Sequence, residues 1–232
     1  MPLPTTVTPL YELEIPSSKK KIKYRPFLVK EQKILLIALE SQDQVQILEA
    51  IKTIFKNCIE TKIKLEDLSI FDVEYIFLNI RGRSIQETIE MNVTCEDDGE
   101  TEVKVEFLIN DVKVEFPEGH SKEIQLSDNI LLVMKYPNLD YFAKVNFSEE
   151  VQDPYELVAS CVDTVYENGE DCGDFTKEEA IEWVEKLTNP QFEKIQQFFN
   201  TMPALRHRLK IRNPKTKVET EYVIEGLANF FA

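Results

Sequence analysis

The chain has 232 residues and is 43% hydrophobic, enough to fill a real core, so a disordered chain is excluded. Its net charge of −15 argues against binding a nucleic-acid duplex, which requires a basic face to neutralise phosphates. No apolar run reaches the roughly 18 residues of a membrane span, and residues 1–6 lack the basic and apolar regions of a signal peptide. A reducing cytosol is therefore the expected compartment, with Cys58, Cys95, Cys161 and Cys172 as free thiols.

Residues 9–15 alternate apolar and polar, Pro16 to Ser18 make a turn, and residues 20–25 alternate again, which predicts an N-terminal hairpin. Pro26 ends its second strand, because proline holds the preceding residue extended and cannot donate to a ladder. A helix is expected over 30–41. Its run Ile34 to Leu39 is apolar on every side, the pattern of a buried helix. Asp43 caps a second helix, with Gln46 placed to reach back and Val45, Leu48, Ile51, Phe55 and Ile59 at helical spacing. Ser69 and Asp72 signal a third cap, and the helix behind them carries Val73, Ile76, Phe77 and Ile80 before Gly82 ends it.

Two of these stretches carry a family resemblance. Residues 24–38 read Tyr-Arg-Pro-Phe-Leu-Val-Lys-Glu-Gln-Lys-Ile-Leu-Leu-Ile-Ala, and residues 71–84 form an acidic, aromatic, leucine-containing helix closing with Arg81-x-x-Ser84. Together with the Asn57-Cys58-Ile59 step they resemble the baseplate proteins of T-even-type contractile-tailed bacteriophages, over about residues 9–136. The resemblance implies a baseplate hub subunit or a hub-assembly protein, found in the virion tail baseplate or the cytoplasm of the infected bacterium.

From residue 86 the period changes from 3.6 to 2. Ile89, Met91 and Val93 make one strand, residues 96–100 turn, and Val103, Val105, Phe107 and Ile109 return. Three more short strands follow, at 112–116, near 122–127 and at 130–136, and the five are expected to form one antiparallel sheet. An irregular stretch to about 152 separates this from a mainly helical region. Asp153-Pro154 starts one helix, carrying Leu157, Val158, Cys161 and Val165. Thr176 and Glu179 box a second, and Asn189-Pro190 starts a third, stopped by Pro203. Residues 205–212 and 217–225 make a closing hairpin, and Leu227 to Phe231 form an apolar tail. The expected fold is α+β: an N-terminal region of hairpin, helices and sheet over 1–136, and a helical region with terminal hairpin over 137–232, the two packing as separate domains or as one.

Catalytic motifs are absent. There is no phosphate-binding glycine loop, no G-x-S-x-G and no H-E-x-x-H. His120 and His207 lie in polar surroundings without a partner at ligand spacing, and no paired thiolates suit zinc. The acidic stretch Glu167 to Asp174, read as a loop between helices, fits no EF-hand register: starting at Asp163 puts Val165 at position three, and starting at Glu167 puts Cys172 at six. No cofactor or metal is expected, and a hydrolase is only a minor alternative.

The charge split is more informative. Residues 149–185 hold thirteen acids and one lysine, whereas residues 204–217 hold six Lys/Arg and no acid. Docking surfaces for other hub proteins are expected at Glu167, Glu170, Asp171 and Asp174, at Arg206, Arg208, Lys210 and Arg212, and at Phe230 and Phe231 of the tail. The competing reading is that the charges pair within the fold or are solvated. No nucleic-acid or membrane partner is expected. A homo-oligomer is left open, as is the choice between a retained hub component and a transient hub-assembly chaperone.

Overall fold

Alternation in residues 11–14 and 21–24 builds the first element of the computed structural model, which describes residues 7–41, 43–84, 88–141 and 153–226. Strands β1 (Tyr11–Glu14) and β2 (Lys21–Tyr24) pair antiparallel with Tyr11 opposite Tyr24, burying Ile22 and Tyr24. Helices α1 (Val29–Ser41) and α2 (Gln44–Cys58) follow. Asp43 caps α2 as expected, accepting from the Val45 and Gln46 amides at 2.8 and 3.3 Å and from the Gln46 side chain at 2.9 Å. Ile47, Ala50, Ile51, Ile54, Phe55 and Cys58 of α2 are buried at helical spacing.

Helix α3 (Ile70–Gly82) is the buried helix of this region. Its capping box is more than local: Asp72 accepts from the Ser69 amide at 3.3 Å and also from the Ser17 amide of the β1–β2 turn at 2.9 Å. At its other end, a Cβ on Gly82 would lie 2.2 Å from Cδ1 of Ile109, so glycine permits this close approach.

The five strands expected in one sheet are distributed over three. β3 (Thr88–Thr94) and β4 (Glu102–Leu108) form a two-stranded ribbon. β5 (Lys113–Glu115) instead joins the closing hairpin β10 (Ala204–Arg212) and β11 (Glu219–Glu225), in the order β11-β10-β5. β6 (Glu123–Gln125) and β7 (Ile130–Met134) belong to a four-stranded meander with β8 (Val162–Glu167) and β9 (Glu170–Asp171). The correction has a simple cause: alternation reveals strands, but pairing depends on contacts distant in sequence.

A second correction concerns residues 153–167. Helix α4 covers only Pro154–Ser160, and the chain then enters β8. Asn168 and Gly169 both take positive φ, 53° and 83°, which makes the tight β8–β9 turn. The acidic stretch is thus a hairpin tip and the strand behind it, not a loop between helices. Helices α5 (Lys177–Glu185) and α6 (Asn189–Thr201) start at the expected caps.

The chain divides into two compact units, Met1–Glu115 with Ala204–Ala232, and Phe116–Pro203. The second unit is an insertion between β5 and β10, whose residues Glu115 and Ala204 are register partners. The expected boundary at 136/137 falls within this insertion, after β7. In the first unit, Val93, Cys95 and Ile211 bring the β3–β4 and β10–β11 hairpins onto one apolar cluster. In the second, Leu132, Met134, Cys161, Val162, Val184, Ile195 and Phe198 join the meander to its helices, with Trp183, Phe192 and Phe199 packed against them. The aromatic residues of α5 and α6 are therefore core constituents.

Candidate functional site

The segment Tyr24 to Ala38 is organised by a buried ion pair. Glu31, in the first turn of α1, is 0% exposed and accepts from the Leu28 amide and from the Arg25 guanidinium, both at 2.9 Å. Burial by itself would raise the Glu31 pKa, but the Arg25 hydrogen bond and the Leu28 amide outweigh it and hold the carboxyl below its ordinary value. Arg25 also donates to the Pro26 carbonyl at 2.9 Å, and its amide to the Cys58 carbonyl at 2.8 Å. Phe27 donates its amide to Ser84 Oγ at 2.6 Å and packs edge-on against Phe77 at 5.7 Å. The stretches 24–38 and 71–84 and the Cys58 step, separated in sequence, thus meet at one junction of strand and helices.

Helix α1 itself is not the buried helix that its composition predicts. Only Glu31 and Ala38 are buried within it. Val29 is 82% exposed and Leu36 and Ile37 are each 53% exposed, with Leu39 also exposed. Val29, Lys33, Leu36, Ile37 and Glu40 fall at helical spacing on one face. The physical reason is one-sided packing: Ala38 and the Arg25-bound Glu31 meet the fold, Ile34 and Leu35 are half-buried, and Leu36, Ile37 and Leu39 are left outward. A solvent-facing apolar helix of this kind suits contact with another protein better than chemistry.

The expected acidic docking residues Glu167, Glu170, Asp171 and Asp174 are all exposed, grouped along the β8–β9 hairpin and the segment after it. Arg206, Arg208, Lys210 and Arg212 lie at alternate positions of β10, on one face of the sheet in the first unit. Two of these cations are engaged within that unit. Arg206 bonds Glu225 at 2.7 Å, and Arg208 bonds Glu115 in bidentate fashion at 2.9 and 3.0 Å and approaches Glu221 at 3.7 Å. The guanidinium of Arg208 holds the Glu115 carboxyl below its ordinary value. The basic strand is thus partly an internal ion ladder. Phe230 and Phe231 lie outside the described residues.

Several polar groups have structural work that sequence reading missed. Asn213 at the β10–β11 turn donates to both Asp97 oxygens at 3.0 and 3.1 Å, and Thr216 bonds the same carboxylate, fastening the β3–β4 turn to the closing hairpin. His120 has partners after all: its ring nitrogens lie 3.0 Å from Thr201 Oγ1 and 2.9 Å from Tyr136 Oη, and burial lowers its pKa. His207 stacks on Phe107 at 4.4 Å. Burial pushes the Cys58 and Cys161 thiols up to about 11, so both are inert core residues, whereas Cys172 is exposed. Among the described residues, no three His, Cys, Asp or Glu side chains are grouped to hold a metal ion, and no helix is long and apolar enough to cross a membrane.

The described residues define an α+β protein whose notable features are surfaces, an apolar helix face and opposed charge clusters. The chain belongs to the T4 bacteriophage base plate protein family, whose sequence profile matches residues 8–232. The match extends well past residue 136, where the resemblance read from sequence fades. Membership makes this a phage baseplate protein, with the tail baseplate as its setting and other baseplate proteins as its company. No curated protein and no solved structure gives a significant match.

Proposed function

We propose that the protein is a component of the baseplate hub that works through protein–protein contacts and carries out no chemistry of its own. The observation that carries this reading is the outward apolar face of α1, with Val29, Leu36 and Ile37 in solvent on a helix anchored by the Arg25–Glu31 pair. Apolar side chains held rigidly in water gain free energy when a partner covers them, at roughly 25 cal/mol per Å². The exposed acids Glu167, Glu170, Asp171 and Asp174 and the β10 residues Lys210 and Arg212 are the proposed charged contacts, which steer and select partners more than they hold them.

Phage carrying Leu36→Asp/Ile37→Asp test the proposal. Loss of infectious particles, with the variant protein folded and soluble, is the expected result; normal assembly would sink it. Mass spectrometry of purified wild-type particles then distinguishes two modes of action. A fixed copy number per virion makes the protein a retained hub component, and absence from the virion makes it an assembly chaperone that departs.

A further inference from the structure

The second unit contains an apolar cleft of about 240 Å³, lined by Val162, Val165, Cys172, Phe175, Ala180 and Trp183, with Glu179 at its lip. Pockets that enclose small-molecule ligands usually run to about 300–1,000 Å³, so this one suits a single side chain rather than a free metabolite. Its formation follows from the fold. The Cys172 amide donates to the Val165 carbonyl at 2.9 Å, which lays the segment after β9 beside β8, and α5 presents Ala180 and Trp183 from the other side.

The surroundings of the cleft have one sign. Residues 162–185 contain nine acids and one lysine. That lysine, Lys177, is held by Glu156 at 3.1 Å, and Lys186 beyond α5 lies 3.6 Å from Glu182. Glu179 lines the cleft itself, Asp171 and Asp174 adjoin the lining residues Cys172 and Phe175 in the chain, Glu178 precedes Glu179, and Glu167 and Glu170 sit on the β8–β9 hairpin; all of them are exposed. Protein interfaces combine an apolar centre, where one anchor side chain carries much of the affinity, with a polar rim. Here the rim is anionic.

We propose that this cleft is a docking site for a basic segment of a partner protein, one large apolar side chain entering between Val165 and Trp183 with lysines or arginines on either side. Charge complementarity selects this occupant: an acidic or neutral segment would meet repulsion or gain nothing at the rim. A second copy of the chain is a poorer candidate. Two of the four cations of its basic strand, Arg206 and Arg208, already bond Glu225 and Glu115, which leaves Lys210 and Arg212 alone on β10 to meet the rim. The inference deepens the hub reading by stating the chemistry of one partner, and its test is independent of phage assembly, so either can fail alone.

The chain has one tryptophan, Trp183, and it lines the cleft, so emission changes report directly on the site. Full-length protein is titrated with a synthetic peptide carrying one phenylalanine flanked by lysines. Two controls replace the phenylalanine by alanine or the lysines by glutamates. The expected result is a saturable change in Trp183 emission with the first peptide, and at least about tenfold weaker binding for either control, a loss of about 1.4 kcal/mol. Binding should also weaken as salt is raised, because the rim charges are exposed. Glu170→Lys/Asp174→Lys, checked for an unchanged unfolding curve, should lose binding. Alkylating the exposed Cys172 with a benzyl reagent should block the cleft without any mutation. Equal responses to all three peptides, no response, or a Trp183 change that tracks protein concentration without peptide would overturn the proposal, the last in favour of self-association.

Discussion

Helices α1 and α3 are each thirteen residues long and each carry a dense apolar run, yet they meet opposite fates. Eleven residues of α3 are buried, against Glu31 and Ala38 alone in α1. α3 is the more hydrophobic of the two, and anchorage separates them further. α3 is tied near its start to the β1–β2 turn through Asp72 and after its end to Phe27 through Ser84, and it packs against β5, β10 and Ile109. α1 is tied at its first turn by Glu31 and packs on one side against α2, but it presents much of its remaining surface to solvent. A helix with one apolar face left in solvent is available for the contact proposed above, whereas one enclosed by its neighbours is spent on the core.

Substitutions should break this symmetry in a definite order. Phe71→Ala, at a fully buried position of α3, should cost about 3–5 kcal/mol in denaturant unfolding. Glu31→Ala should cost a similar amount, about 3–5 kcal/mol, because it leaves the Arg25 guanidinium without its carboxylate in a buried site. Gly82→Ala should cost about 1–3 kcal/mol by driving a methyl into Ile109. Leu36→Ala and Ile37→Ala on the α1 face should change stability by no more than about 0.5 kcal/mol. A loss above 2 kcal/mol for either would erase the distinction between the helices.

Each helix also buries a carboxylate in its first turn, Glu31 in α1 and Asp72 in α3, and the two have opposite pH behaviour. Glu31 has its folded pKa lowered, so its contribution is present above the ordinary carboxylate range and is lost as pH falls through the lowered value. Burial raises the Asp72 pKa, and its hydrogen bonds from Ser17 and Ser69 only partly offset this. Its linked contribution is therefore present in acid and is lost as pH rises through the raised value. The cost of Glu31→Gln should shrink on acidification, whereas the cost of Asp72→Asn should shrink as pH rises. Parallel pH curves for the two variants would contradict the assignment.

Local signals were well legible in the sequence. The caps at Asp43, at Ser69 with Asp72 and at Thr176 with Glu179 involve residues within three positions of one another, so spacing alone reveals them. The stretch from Leu157 to Val165 misleads because its apolar residues fit a helical period, while the stronger signal, the Asn168-Gly169 turn, lies just beyond. The burial of α1 and α3 and the pairing of β5 with β10 were not legible, since each depends on partners far along the chain. The acidic residues proposed for docking stand out in the sequence by charge density, but the cleft does not, because it exists only once β8 and α5 come together.

The insertion of the second unit between β5 and β10 has a consequence for synthesis. That unit is one continuous stretch and can fold as soon as it leaves the ribosome. The first unit must wait for β10, its last-made sheet partner, before β5 and the β3–β4 ribbon find their neighbours. At translation rates of about 5–20 residues per second, the nascent chain carries an unfinished first unit for several seconds while the second emerges. During that interval the apolar side of α3 that packs on β10 lacks its partner, which makes early nascent chains the form of this protein most in need of protection from aggregation.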